Sequence, residues 1–419
     1  MKALVLAGGY PQIALIQELK YRGIEVLLAD YNTEPVARRY ASKFFQVSTL
    51  DVEAIRQVAI REKVDFLITV CTDQALHTVA KVSEDLGLPC YIDYQTALNV
   101  TNKQYMKKVF SEKAIPTAKF VILDSFDENA IQAMKYPLIV KPVDCNSSKG
   151  VRRCDNLEEL KRYLADAVEL SRTKTAIAEE FVSGEEISVD VYVEDGKANV
   201  LCISQSDKIA DRDRFVIFRA IWPAPIPKTI IEKIKDIAQK IADAFGIRNS
   251  PMLIQLLTDG KQVYVVEFSA RTGGGVKYLL VKRTSGFDVI KAVVDLTLGI
   301  KPHVGALTAE QGCLINDFIY CKPGIFDHLE GFDELLYENI IKDYYLFTWK
   351  GADFKTIKAS GDRLAGYTVV GETPESLINK QKEARRRIRA ISAEGKDMIR
   401  HDLLTNLICK DGFLFSEKS

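Results

Sequence analysis

The sequence carries no excess charge of either sign, no long apolar run, no paired-cysteine pattern and little histidine, and each absence removes a class of function. Lysine plus arginine number 57 and aspartate plus glutamate also 57, so no long-range field draws the chain to nucleic acid or to an anionic membrane. Local basic runs such as Arg385-Arg386-Arg387 read as a solvated helix face. No stretch approaches the ~20 apolar residues that cross a bilayer, and the start, from Met1 to Gly9, enters a strand directly, unlike a signal peptide. The eight cysteines contain no Cys-x-x-Cys pair or disulfide-like spacing, and only four histidines accompany them. Reduced thiols in a cytoplasm are the reading, without structural zinc. Internal repeats and low-complexity segments are also missing. So is a complete G-x-G-x-x-G: Ala7-Gly8-Gly9-Tyr10-Pro11-Gln12 follows the first strand and Asp30 closes the second, without the glycine spacing of a nicotinamide site.

What is present is length and rhythm. A chain of 419 residues exceeds one ordinary core and predicts two to three domains. Strands over 2–7, 25–30 and 66–70 alternate with helices over 12–22 and 52–61, the pattern of a parallel, helix-covered sheet in a domain of residues 1–100. A second domain, 101–302, opens with a capped, lysine-rich helix that ends before Ile115-Pro116. A buried strand over 137–142 ends on Lys141, a polar loop over 144–150 follows, and then come a helix over 157–170 and a strand reaching Glu179. Further strands cover 187–193 and 200–204, a long helix spans 228–245, and a hairpin turns at Asp259-Gly260. After Pro302 short strands and a basic helix over 374–391 make a third part, 303–419.

Several residues have the types that chemistry needs. Lys141 ends an apolar strand, where a charge requires a partner such as a phosphate oxygen; Lys103 reads equally as a solvated helix lysine. The loop with Ser147, Ser148, Lys149 and Gly150 offers backbone N–H groups to phosphates, although surface turns share this composition. Glu179 and Glu186 flank the apolar pair Phe181-Val182, which suits a hinge packed on a flat ring, or an edge strand with two exposed glutamates. Gln255 and Glu267 share a face only if the turn between them holds an odd number of residues. Glu267 lies deep at a strand end, where an unpaired carboxylate is costly and a magnesium ion removes the cost. Arg271 sits in a glycine-rich turn and reads as a ligand for carboxylate or phosphate, or as the internal ion-pair partner of Glu267.

The order of these pieces resembles the ATP-grasp superfamily across nearly the whole chain. The resemblance implies an α/β and α+β fold: an N-terminal parallel-sheet domain of Rossmann-like type, a grasp domain of two α+β subdomains with a lid subdomain at about 137–205, and a C-terminal α+β lobe. It implies that Lys103 and Lys141 bind phosphates of ATP and that Ser147 to Gly150 form the lid. Glu179, with the Glu180 to Val182 segment, would hold adenine, and Glu186 ribose. Gln255, Glu267 and Ser269 would hold Mg2+ or Mn2+, with Arg271 and Lys208 catalytic and Arg214 a further contact. Two positions depart from the pattern: Ser269 stands where the family usually has a metal-binding asparagine, and Ser147 where the lid often has glycine. A hydroxyl ligates magnesium more weakly and with shorter reach.

The glutamine at 255 is similar to the carbamoyl phosphate synthase large subunit. The turn from Ala270 to Gly274 is similar to amino-acid ligases of the superfamily, and the Ser360 to Tyr367 segment resembles the C-terminal lobe of its purine-pathway and amino-acid-ligase members. The implied activity is an ATP-dependent carboxylate-amine ligase that passes through an acylphosphate and acts on small-molecule carboxylate and amine substrates. The alternatives are phosphorylation of bicarbonate or carbamate and a catalytically silent ATP-binding module. Homodimerisation is a family habit, and neither nucleic acid nor membrane is an expected partner.

Overall fold

The computed structural model describes residues 1–145, 149–209, 215–308 and 312–417. Residues Lys2–Leu6, Glu25–Asp30, Lys43–Gln46 and Phe66–Ile68 form a parallel sheet in the spatial order 43–46, 25–30, 2–6, 66–68. Their apolar residues do not alternate with polar ones because both faces are covered. Leu4, Leu6, Leu27 and Ala29 pack with the helices Val52–Glu62 and Asp73–Leu86. On the opposite face Ala3, Val5, Val26 and Leu28 meet Leu15, Ile16 and Leu19 of the helix Tyr10–Tyr21. They also meet Val289, Ile290 and Val293 of Val289–Thr297, a helix more than two hundred residues later.

A small antiparallel sheet follows, ordered Phe120–Leu123, Ala176–Glu180, Leu138–Pro142, Arg152–Cys154. Leu160, Leu164 and Ala167 on one face of the helix Leu157–Leu170 close its core against Leu138, Val140 and Ala178. A third, eight-stranded sheet contains Glu185–Glu194, Lys197–Lys208, Ile217–Trp222, Ser250–Thr258 and Val263–Ser269. The helix Lys228–Ala244 presents Ile230, Ile234, Ile237 and Ile241, a 3.6-residue stripe, to Ile187, Val189 and Val191 of that sheet.

Strand pairing crosses two of the positions read from the sequence as boundaries. The eight-stranded sheet runs through position 302: Trp222 pairs with Leu314 and Arg219 with Asp317, so Cys313–Ile319, Ala365–Gly371 and Asp343–Leu346 extend it. The small sheet takes its strands from 120–180: Phe120–Leu123 pairs with Ala176–Glu180, whereas Glu185–Glu194 pairs with Ser250–Thr258 in the large sheet. The helix expected to reach 391 is Pro374–Arg387; Arg389–Ser392 instead pairs with Gly324–Glu330 as a strand. All eight cysteines are free thiols, and among the described residues no helix is long and apolar enough to cross a membrane.

Candidate nucleotide site

The chain passes from the small sheet to the large one through Phe181 to Gly184. Phe181 N–H donates to Pro137 O at 2.9 Å, fixing the start of this link. Gly184 has φ +153°, and a Cβ there would lie 2.5 Å from Thr258 O, so the link can lie against the Thr258 end of its neighbour only with glycine. The two sheets thereby face each other across a cleft of ≈ 290 Å³, lined among others by Lys103, Lys141, Glu179, Val182, Glu186 and Glu267.

On the small-sheet wall, Lys141 ends Leu138–Pro142 and places Nζ 2.5 Å from Glu179 Oε2. The other oxygen, Oε1, lies 2.5 Å from Lys107 Nζ. Lys107 follows Lys103 by one turn of the helix Lys103–Glu112, whose start is capped by Asn102 accepting from Tyr105 N–H. Burial pushes the Glu179 carboxyl up, but the two ammonium groups outweigh burial and hold it down at about 2. For Lys107, burial dominates and lowers the ammonium pKa, with the like charge of Lys141 acting in the same direction against the pull of Glu179. Two buried cations thus share one carboxylate, and a phosphate oxygen is the kind of group that compensates the surplus.

On the large-sheet wall, Gln255 and Glu267 are direct cross-strand partners. The turn between the paired Thr258 and Val263 holds four residues, an even number, which alone would put the two side chains on opposite faces. The register shifts between the pairs Leu256–Val265 and Gln255–Glu267, so one extra residue, Val266, bulges out and restores the shared face. Gly260 in that turn has a positive φ, +85°. Glu267 Oε2 lies 3.0 Å from Lys103 Nζ, which also donates to Cys145 O at 2.9 Å. Burial raises the Glu267 carboxyl, and Lys103 with Lys141 more than offsets this, leaving it lowered. Gln255 Nε2 donates to Glu186 Oε1 at 3.3 Å, which leaves its carbonyl oxygen for a hard cation beside Glu267. The donor set fits magnesium in kind.

The two residues assigned to catalysis have different ion-pair partners. Lys208 Nζ is 2.5 Å from Glu186 Oε2. Arg271 is an internal ion-pair residue, but its partner is Asp73 and not Glu267: Nε donates to Asp73 Oδ1 at 2.7 Å and Nη2 to Oδ2. Ser269 also donates its hydroxyl to Asp73 Oδ1. Glu180 lies on the cleft lining, with Oε1 accepting from Lys135 N–H at 3.1 Å. Phe181 carries the Arg153 guanidinium 4.7 Å from its ring centroid. Lys149 reaches the cleft, and Gly150 needs its φ of +75° because a Cβ would press on Pro142 and Leu170. Ser147, Ser148 and Arg214 lie outside the described residues.

Sequence reasoning missed three buried groups. Lys107 had a usable signal, its i+4 spacing from Lys103. Asp73 opens the helix after Phe66–Ile68, at the carboxyl end of a parallel strand, where ligands gather in such sheets. Asp190 had no local signal: it pairs across the sheet with Leu253, two residues along from the Gln255–Ser188 pair, beneath Gly273. Burial raises its carboxyl.

A model of the ATP-grasp domain matches residues 134–278. The chain is 24% identical over 339 residues to the mitochondrial ammonia-dependent carbamoyl-phosphate synthase of Aquarana catesbeiana, covering 77% of this chain and only 22% of that protein. It is 23% identical to the formate-dependent phosphoribosylglycinamide formyltransferase of a Nitratiruptor species, covering 91% of this chain and 95% of the other. Among solved structures, the L-amino acid ligase of Bacillus licheniformis superposes with a TM-score of 0.78 at 20% identity, over 93% of this chain and 98% of that one.

Proposed function

Because the chain carries an ATP-grasp domain and belongs to that superfamily, we propose that it is an ATP-dependent carboxylate-amine ligase for a small, amino-acid-like carboxylate. The observation that carries this reading is the convergence of Lys103, Lys107 and Lys141 on Glu267 and Glu179 from the two walls of one cleft. The surplus of buried ammonium over carboxylate on the small-sheet wall suits the phosphates, and the apolar Phe181-Val182 link suits the base. Glu186, ion-paired with Lys208, would hold the ribose. Gln255 and Glu267 would hold magnesium, which when bound offsets negative charge on the phosphates.

The chemistry follows from these roles. A substrate carboxylate oxygen attacks the γ-phosphorus, the bond to ADP breaks, and an acylphosphate forms. An amine then attacks the acyl carbon and expels phosphate. The lysines and Arg271 neutralise the oxygens and orient them, which is most of what a protein does in phosphoryl transfer. The similarity of fold to an L-amino acid ligase supports an amino-acid-like substrate.

Phosphate release from ATP in the presence of amino-acid mixtures tests the reading. Substrate-stimulated release dependent on magnesium is the expected outcome. Tight MgATP binding without stimulation by any amino acid would instead favour the silent module, which the commitment of the Ser269 hydroxyl to Asp73 supports. Stimulation by bicarbonate alone would favour the carbamoyl-phosphate-type reaction.

A further inference from the structure

We infer that Asp73 is a positioning residue: from the N-terminal unit it aims the Arg271 guanidinium at the phosphoryl group handled in the cleft, an inference that rests on the nucleotide reading above. Arg271 stands at the head of Thr272-Gly273-Gly274-Gly275, a segment with three residues that offer no side chain to pack a guanidinium in place. Its direction is set by what it binds. Nε and Nη2 form a two-point contact with the Asp73 carboxylate, and Nη1 donates to Thr272 O at 2.9 Å. A guanidinium has five N–H groups, so three are committed and two remain for an anionic oxygen.

Asp73 is itself held. It is 6% exposed and opens the helix Asp73–Leu86. The chain leading to it turns through Cys71 at φ +60°. Gln12, from the first helix, donates its amide to Val70 O at 2.7 Å and clamps this approach. Tyr91 of the same unit donates to Ala270 O at 3.2 Å, one residue before Arg271. Ser269, two residues before Arg271, gives its hydroxyl to the same carboxylate. One rigid carboxylate therefore fixes two residues of the catalytic segment, and the N-terminal unit enters the site through it. A two-point contact is directional, unlike a lone Coulombic attraction, so its loss frees the fork to rotate.

The probe is inorganic phosphate titrated calorimetrically into full-length protein saturated with MgADP, for wild type, Asp73→Asn, Arg271→Lys and the double variant. MgADP affinity is measured first in each, and a circular dichroism spectrum and urea transition like those of wild type report an intact fold in all four. Phosphate affinity falls about tenfold or more in each single variant, as for a lost charge-assisted two-point contact. It falls no further in the double variant, since Asp73 acts on the phosphate through Arg271. Unchanged phosphate affinity in Asp73→Asn overturns the inference. Equal weakening of MgADP and phosphate, multiplicative losses in the double variant, or no phosphate binding by wild type overturn it as well. If the ligase reading alone is wrong, turnover is absent while the phosphate pattern persists.

Discussion

Replacing Glu179 with glutamine should destabilise the protein far more than replacing either of its lysine partners, because the buried charges are unequal. Lys107 and Lys141, with side chains 1% and 7% exposed, both lean on this one carboxylate. Glu179→Gln keeps the volume but leaves two buried ammonium groups without their counter-ion, at a cost of about 3–5 kcal/mol. Lys107→Met keeps the apolar stem and leaves Glu179 paired one to one with Lys141. It loses one charge-assisted bond, about 1–3 kcal/mol, and the Thr117 hydroxyl still reaches Val265 O at 2.8 Å. Urea denaturation at pH 7 should rank Glu179→Gln below Lys107→Met. The ranking should also depend on pH. The Glu179 carboxyl lies near 2 in the fold against an ordinary 4.5, so its stabilisation is present above about 4.5 and is lost as pH falls toward 2. The gap between wild type and Glu179→Gln should therefore narrow on acidification through that window. Equal destabilisation by the two variants, or a gap that widens in acid, would refute the charge count.

Other expectations follow from single contacts. Gly184→Ala sets a methyl 2.5 Å from Thr258 O and should lower MgATP affinity measured by calorimetry as the link is displaced; unchanged affinity would remove the hinge from the argument. Inserting one residue between Val266 and Glu267 moves Glu267 one pairing step past Gln255 and turns it to the other face, so Mn2+·ADP binding followed by electron paramagnetic resonance should weaken sharply. Glu267→Ala should abolish substrate-stimulated phosphate release while the circular dichroism spectrum stays native, and full activity would sink the metal assignment. Arg219→Met should cost about 3–5 kcal/mol in chemical denaturation by stranding Asp317, since both side chains are 0% exposed. Arg219→Met with Asp317→Leu should recover part of that loss.

The one-dimensional pattern specified most of the elements and several residues that line the cleft, but not Lys107, Asp73 or Asp190. The alternation of apolar runs and amphipathic helices specified the parallel sheet, because a sheet covered on both faces must read that way. The strand ending on Lys141 and the link through Phe181 to Gly184 declared a polar cleft, because a buried charge and an apolar hinge both demand partners. Tertiary structure decided which charges meet. Asp73 finds Arg271 across 198 residues, and Lys103 finds Glu267 across a cleft; no local spacing encodes such pairs. The shared face of Gln255 and Glu267 turned on strand register, since one bulged residue inverts every side chain beyond it. Strand pairing crosses position 302 for a similar reason: strands pair by hydrogen bonds and apolar faces, and chain order does not limit which strand supplies them.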